Sequence, residues 1–254
     1  MARFKVGVQL HPQHTSIEDL RTAWREADDL GVDSIWTWDH FFPLYGDSHG
    51  AHFEGWSLLT AMAVDTERAD LGVLVTCNSY RNPELLADMA RTVDHLSGGR
   101  VILGIGAGWF QRDYEEYGYE FGTASSRLRD LEAALPRIED RLARLNPPPL
   151  GEVPILIGGG GEKVTLRLVA QHARLWNAFG PPEHFAAKSR VLDERCAEVG
   201  RDPSEIERTV ALNDVSDVDI VDDYLAVGAQ HLILGRGHPF DMGPLRSLVE
   251  ARDR

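Results

Sequence analysis

Short runs of β-branched and apolar residues alternate with longer stretches in which apolar positions recur every three to four residues. Lys5 to Leu10 reads as a first strand. Ser16 then offers an N-cap, and Leu20, Ala23, Trp24, Ala27 and Leu30 form the stripe of a helix that Gly31 stops. Val32 to Trp38 is a second strand, and Trp56, Leu58, Leu59, Met62 and Ala63 mark a helix after a long loop. Further strands are expected over Asp70–Thr76, Arg100–Ile105, Val153–Ile157, Leu175–Phe179, Ile206–Leu212 and Gln230–Leu234. Helices are expected over Pro83–Ser97, Ser125–Leu145, Glu162–His172, Glu183–Val199 and Asp217–Val227, with a closing helix over Leu245–Ala251. Eight strand-then-helix units in 254 residues demand parallel strands and right-handed crossovers. That is the size and rhythm of a (β/α)8 TIM barrel, with an open doubly wound sheet as the alternative. Residues 1–254 are expected to form a single domain, because Asn146-Pro147-Pro148-Pro149 reads as a loop and no linker or low-complexity stretch interrupts the pattern.

Composition narrows the partners. With 43% hydrophobic and 26% charged residues the chain is an ordinary globular one. Its formal charge is 26 − 40 = −14 and no Lys/Arg cluster stands out, which argues against nucleic acid as a partner; an anionic ligand would need its own pocket of donors. Two cysteines, Cys77 and Cys196, make no disulfide framework and point to a reducing compartment. Met1 to Val8 reads as a strand and not as a charged-then-apolar leader, and no apolar run reaches the ~18 residues of a membrane span. A cytoplasmic location away from membranes is therefore expected.

Ligands of α/β proteins bind beyond the carboxyl ends of the strands. That rule selects Gln9, His11 and His14, then Trp38, Asp39, His40, Phe41 and Phe42, then Thr76, Cys77, Asn78 and Arg81. Gly106, Ala107, Gly108 and Trp109 follow the fourth strand, and Gly158, Gly159, Gly160 and Gly161 the fifth. Asn177, Phe179, Arg236 and His238 complete the set. Four consecutive glycines between a strand and a helix let the backbone approach a ligand and offer N–H groups to a phosphate; a flexible turn is the plainer reading. No Walker lysine follows, and the third glycine of a dinucleotide fingerprint starting at Gly104 would fall on Trp109. Asp39-His40, flanked by Trp36, Trp38, Phe41 and Phe42, joins a titratable pair to an apolar pocket suited to proton transfer, with the carboxylate orienting the ring. His11, His14, His40, His49 and His52 keep a metal-dependent barrel hydrolase in view, although their spacing is that of loops and no metal ligand set is assigned. Cys77 reads as a packing residue without a partner that would activate it as a nucleophile.

Asp33-Ser34-Ile35-Trp36-Thr37-Trp38-Asp39-His40, Asn82-Pro83-Glu84-Leu85-Leu86-Ala87, the run from Leu96 to Trp109, and Pro154 to Gly161 together resemble the luciferase-like monooxygenase superfamily, and more closely its branch of coenzyme F420-dependent oxidoreductases. The resemblance covers nearly the whole chain. It implies a (β/α)8 barrel whose mouth holds a deazaflavin or, alternatively, FMN, with the tail phosphate on Gly158 to Gly161. It also implies hydride transfer between the ring's C5 and a small-molecule substrate. Gly106 to Trp109 would line the ring, Val75, Thr76 and Cys77 would back it, and a non-proline cis peptide would fall within Leu74 to Cys77. His40 becomes the proton donor or acceptor and Asp39 its companion. Lys163, Arg167 and Arg81 are the candidates for a polyglutamate tail, and a homodimer is the family expectation. Little sequence separates the fourth strand's loop from Pro154, so the pocket is expected to be open or completed by a partner subunit. A non-catalytic cofactor carrier is the reading in which His40 has no chemical role.

Overall fold

The computed structural model describes residues 3–213 and 215–254; Met1 and Ala2, the start of the segment read as a strand, lie outside them. Nine strand segments form one parallel sheet: β1 (Lys5–Leu10), β2 (Ser34–Thr37), β3 (Asp70–Val73), β4 (Thr76–Cys77), β5 (Val101–Gly106), β6 (Ile155–Gly158), β7 (Leu175–Ala178), β8 (Glu207–Leu212) and β9 (His231–Arg236). The pairings run β3-β2-β1-β9-β8-β7-β6-β5 and β5 pairs back to β3, so the sheet closes on itself and the open-sheet alternative falls. β3 and β4 share one place in the barrel, since both pair with β5. Eight barrel positions result. The helices are α1 (Ile17–Asp29), α2 (Gly55–Asp65), α3 (Pro83–Ser97), α4 (Gln111–Tyr117), α5 (Ala124–Arg144), α6 (Thr165–His172), α7 (Pro182–Val199), α8 (Val221–Ala226) and α9 (Gly243–Asp253).

Period-two alternation divides each strand between two apolar environments, which is why the strands read as unbroken apolar runs. Trp36, Leu74, Ile102, Leu156, Leu175 and Ile233 point inward and fill the barrel, with Val75 packed against them. Their neighbours Ile35, Leu103, Ile157, Trp176, Leu232 and Leu234 belong to the larger shell beneath the helices. Local signals fix the helix ends. Ser16 accepts the Asp19 N–H at 3.1 Å, Asn82 caps α3 just before Pro83, and Gly98 ends α3 with φ of 72°.

Three backbone features matter at the site. The third strand, read as continuous to Thr76, breaks after Val73 and resumes at Thr76, and the Leu74–Val75 peptide between is cis, within the segment where the resemblance placed such a bond. The helix after the glycine turn starts at Thr165 and not near Glu162, because residues 162–164 form a turn. A short helix, α4, occupies what read as loop between the fourth strand and the long helix. Among the described residues no helix is long and apolar enough to cross a membrane.

Candidate active site

The break in the third strand builds the floor. Gln9 donates its amide N–H to the Leu74 carbonyl at 2.6 Å, Trp56 Nε1 donates to Thr76 Oγ1 at 3.2 Å, and the Cys77 N–H donates to Asp39 Oδ2 at 2.9 Å. Held at these points, the segment pushes Val75 up toward the barrel axis. A Cβ on Gly106 would come within 2.8 Å of one Val75 methyl and a Cβ on Gly158 within 2.9 Å of the other. These two strand-end glycines therefore make room for Val75. Gly108 has φ of 82°, and a side chain there would strike the Tyr114 hydroxyl and the Cys77 sulfur.

Above this floor lies a cavity of about 570 Å³ at the carboxyl ends of the strands, within the usual size of a ligand pocket. It is lined by Asp39, His40, Val75, Thr76, Cys77, Gly106, Ala107, Gly108, Trp109, Gly158 and Gly159, so these sequence candidates meet around one space. Gln9, His11, Trp38, Leu44, Tyr45, Leu74, Tyr80, Phe179 and Asn213 complete the wall. Gly160 and Gly161 continue past the rim. The Gly159 N–H is bonded to the Asn177 carbonyl at 3.0 Å, whereas the N–H groups of Gly160 and Gly161 have no acceptor among the described residues. Gly159 has φ of 115°, and the nearest atoms to a Cβ on Gly159 or Gly160 would be 3.5 and 3.6 Å away. The turn is thus bare backbone with free donors, which fits an anion such as a phosphate.

Asp39 does not orient His40, contrary to the sequence reading. Its carboxylate, 1% exposed, accepts both guanidinium arms of Arg81 at 2.6 and 2.9 Å, and Arg81 also reaches Glu54 at 2.6 Å. Burial works against the Arg81 charge, but the two carboxylates outweigh it and hold its pKa above the ordinary value. Arg81 is therefore tied down as a brace between the strand ends, and is not available to a cofactor tail. Arg167 pairs with Glu132 at 2.8 Å, while Lys163 is exposed.

The carboxylate on His40 is Asp113 of α4, which the sequence did not single out. Asp113 Oδ2 lies 2.7 Å from His40 Nδ1, and Asp113 is completely buried. It also accepts the Tyr80 hydroxyl at 3.0 Å and the Phe41 N–H at 3.1 Å. A carboxylate only accepts, so Nδ1 carries the proton and Nε2 is left to give or take one. Among the described residues nothing bonds to Nε2, and the rings of Trp38, Trp109 and Phe110 stand edge-on around the imidazole. Trp109, 64% exposed, forms the outer lip. A signal that could have revealed α4 is Gly118, the helix stop at φ of 72° that closes it.

Two neighbouring histidines are held neutral. Burial, helped by Arg236, pushes the His11 pKa down to about 4; its ring stacks on Trp38 at 4.3 Å and its Nδ1 bonds the Tyr45 hydroxyl at 2.7 Å. Burial and the neighbouring His40 bring His52 down to about 4, and its Nε2 accepts Trp38 Nε1–H at 3.0 Å. Burial raises the Cys77 thiol, so it remains a protonated packing group. Among the described residues no three His, Cys, Asp or Glu side chains are grouped to hold a metal ion.

The other end of the barrel opens into a cavity of about 770 Å³ lined by Lys5, Asp33, Asp70, Glu152, Arg174 and Glu207 among others. Beneath it Ser34, His231 and Glu207 stand in the order of a hydrolytic triad, with contacts of 2.8 Å each. Ser34 has no exposed surface and its Oγ already accepts Trp36 Nε1–H at 2.6 Å. It cannot meet a substrate, and the chain of bonds instead ties β2, β8 and β9 together.

Comparison with known proteins agrees with the barrel fold. The chain is 28% identical to the F420-dependent glucose-6-phosphate dehydrogenase of Amycolatopsis mediterranei, over 63% of this chain and 53% of that protein. It is 29% identical to the 5,10-methylenetetrahydromethanopterin reductase of Archaeoglobus fulgidus, over 78% of this chain and 60% of that one, so it spans less than two thirds of either relative. Its fold matches that of an F420-dependent secondary alcohol dehydrogenase solved with an F420–acetone adduct, with a TM-score of 0.86, 17% identity and 99% of both chains covered. The model of the luciferase-like monooxygenase family matches residues 1–219, and the chain belongs to that family.

Proposed function

We propose that the protein is an oxidoreductase that works with the deazaflavin coenzyme F420 and a small organic substrate. The observation that carries this reading is the aim of His40 Nε2 into a cavity floored by Val75 and edged by the bare N–H groups of Gly160 and Gly161. When bound, the deazaflavin gives or accepts a hydride at its ring carbon C5. Val75 would support one face of the ring, with the backbone of Gly106, Ala107 and Gly108 beside it. The glycine turn would hold the tail phosphate, and the nearby Lys188–Glu162 pair at 2.7 Å would flank it. Oxidation of an alcohol removes a hydride and a proton from the substrate. The proton is the part His40 handles: Nε2 takes it from the hydroxyl, while Asp113 on Nδ1 stabilises the imidazolium that forms. In the reverse direction the same nitrogen donates to the carbonyl oxygen. The apolar rings around His40 keep bulk water off that proton.

Titrating the protein with F420 and with FMN, each followed by quenching of the ligand's fluorescence, tests the cofactor. Micromolar binding of F420 and much weaker binding of FMN is expected. Micromolar FMN with no F420 binding would move the protein to the flavin branch, and stoichiometric zinc by elemental analysis would favour the hydrolase reading.

A further inference from the structure

We infer that the substrate is a small uncharged alcohol or carbonyl compound that presents its oxygen to His40, and that phosphorylated or carboxylated compounds are excluded. This inference rests on the oxidoreductase reading of the cavity and concerns what the wall can recognise.

Charge comes first. Among the described residues lining the cavity none is a lysine or an arginine. Arg81 is bound by Asp39 and Glu54, Arg127 is turned to the Gly108 and Phe121 carbonyls, and Arg236 at the end of β9 lies outside the lining, 3.7 Å from Asp241 and close enough to His11 to depress its pKa. His11 is embedded against Trp38, and its Nε2 lies 3.1 Å from where a Cβ on Gly235 would stand, packed against bare backbone. Asp214, next to the lining residue Asn213, lies outside the described residues, and an aspartate supplies no positive charge. An anionic substrate would thus enter a largely apolar space without a counter-ion, in a protein of formal charge −14.

Hydrogen-bonding capacity comes second. The Gln9 amide N–H is engaged by Leu74, Thr76 Oγ1 by Trp56, the Tyr80 hydroxyl by Asp113 and the Tyr45 hydroxyl by His11. Gln9 Oε1, the Asn213 amide and the backbone of Ala107 and Gly108 add neutral polar groups to the wall, and His40 Nε2 is the titratable one among the groups with bonding capacity to spare. It can accept from a hydroxyl or, when protonated, donate to a carbonyl, which are the two forms of one redox pair.

Isothermal titration of the F420-loaded protein with matched probes decides the matter. Butan-2-one and pyruvate share a carbonyl and a methyl group and differ in an ethyl against a carboxylate. Butan-2-one is expected to bind at least ~10-fold more tightly, and glucose 6-phosphate to give no heat. A Phe179→Lys variant, with a cation at the cavity wall, is expected to narrow the gap between butan-2-one and pyruvate. Equal or tighter binding of pyruvate or glucose 6-phosphate by the unaltered protein overturns the inference, as does failure of butan-2-one to bind to protein that holds F420. Failure to hold F420 at all would instead strike the proposed function, so the two results are distinguishable.

Discussion

The side chain with most at stake is His40, and its behaviour depends on a residue 73 positions away in sequence. Asp113 is completely buried and accepts from three donors, an arrangement in which removing the negative charge is felt mainly at the ring it faces. Replacing His40 with alanine removes the proton carrier, and turnover is expected to fall by ~10²–10⁴-fold with F420 affinity spared. Asp113→Asn keeps the volume but lets an amide N–H oppose Nδ1, which favours the wrong tautomer. Its kcat is expected to fall by ~10-fold or more while the F420 Kd and the denaturation midpoint stay near the parent values. The His40→Ala/Asp113→Asn double variant should be no slower than His40→Ala, because the two act as one unit. Steady-state kinetics on the three variants checks this. Losses that multiply, or a loss below tenfold in His40→Ala, would assign the pair a packing role.

At the scale of elements, the broken third strand organises the site, and its partners are glycines on two other strands. Gly158→Ala would set a methyl about 2.9 Å from a Val75 methyl that packing keeps from turning away. Overpacking of this kind costs roughly 1–3 kcal/mol and would tilt the floor on which a ring rests. The expected result is a lower denaturation midpoint together with weaker F420 binding, and partial recovery of both when Val75→Ala is added. No recovery would mean that Gly158 serves the ligand directly. The strand positions of these glycines were legible because period-two runs and strand–helix alternation locate strand ends well, and ligand sites follow strand ends. The same logic placed Asp39, His40, Thr76, Cys77 and Trp109 near one another. It failed for Asp113, Tyr45 and Tyr80, which enter from a seven-residue helix, a long loop and a 3₁₀ turn, where no periodic burial marks a side chain as inward. It also misjudged Asp39, since adjacency to His40 in sequence says nothing about Arg81 arriving from beyond the third strand to claim the carboxylate. The start of α6 was placed three residues early because Glu162 and Lys163 are good helix formers, yet in the structure they belong to a turn leading out of the glycines.

Over the whole molecule these local arrangements add up to a sensitivity to acid, against a trend of opposite sign. A formal charge of −14 implies self-repulsion at neutral pH that acidification relieves, but such long-range repulsion between exposed groups is largely screened within ~8 Å at physiological salt. The buried groups are screened far less. His11 and His52 have folded pKa values near 4, well below the ~6.5 of a free imidazole, so the unfolded chain binds protons that the folded one refuses. Stability from these two rings is complete above about pH 6.5 and is lost as pH falls toward 4, by roughly 2–3 kcal/mol each. Glu207 adds a second window. Burial opposes its charge, but His231 and Lys5 outweigh burial and bring its pKa down to about 2, so its contribution is present above about pH 4.5 and is lost between there and 2. The two windows belong to opposite ends of the barrel: His11 lines the cavity and His52 bonds its wall residue Trp38, whereas Glu207 belongs to the Ser34–His231 chain that ties β8 and β9 to β2. Urea denaturation in 0.15 M salt should therefore show falling stability from pH 7 to pH 5, before Glu207 begins to protonate. Replacing His52 with glutamine, which keeps an acceptor for Trp38 Nε1–H without the titration, should flatten the slope between pH 6.5 and 4 and leave the steeper loss below pH 4. A slope that is unchanged in His52→Gln, or stability that rises on going from pH 7 to pH 5, would mean that relief of charge repulsion outweighs the buried rings.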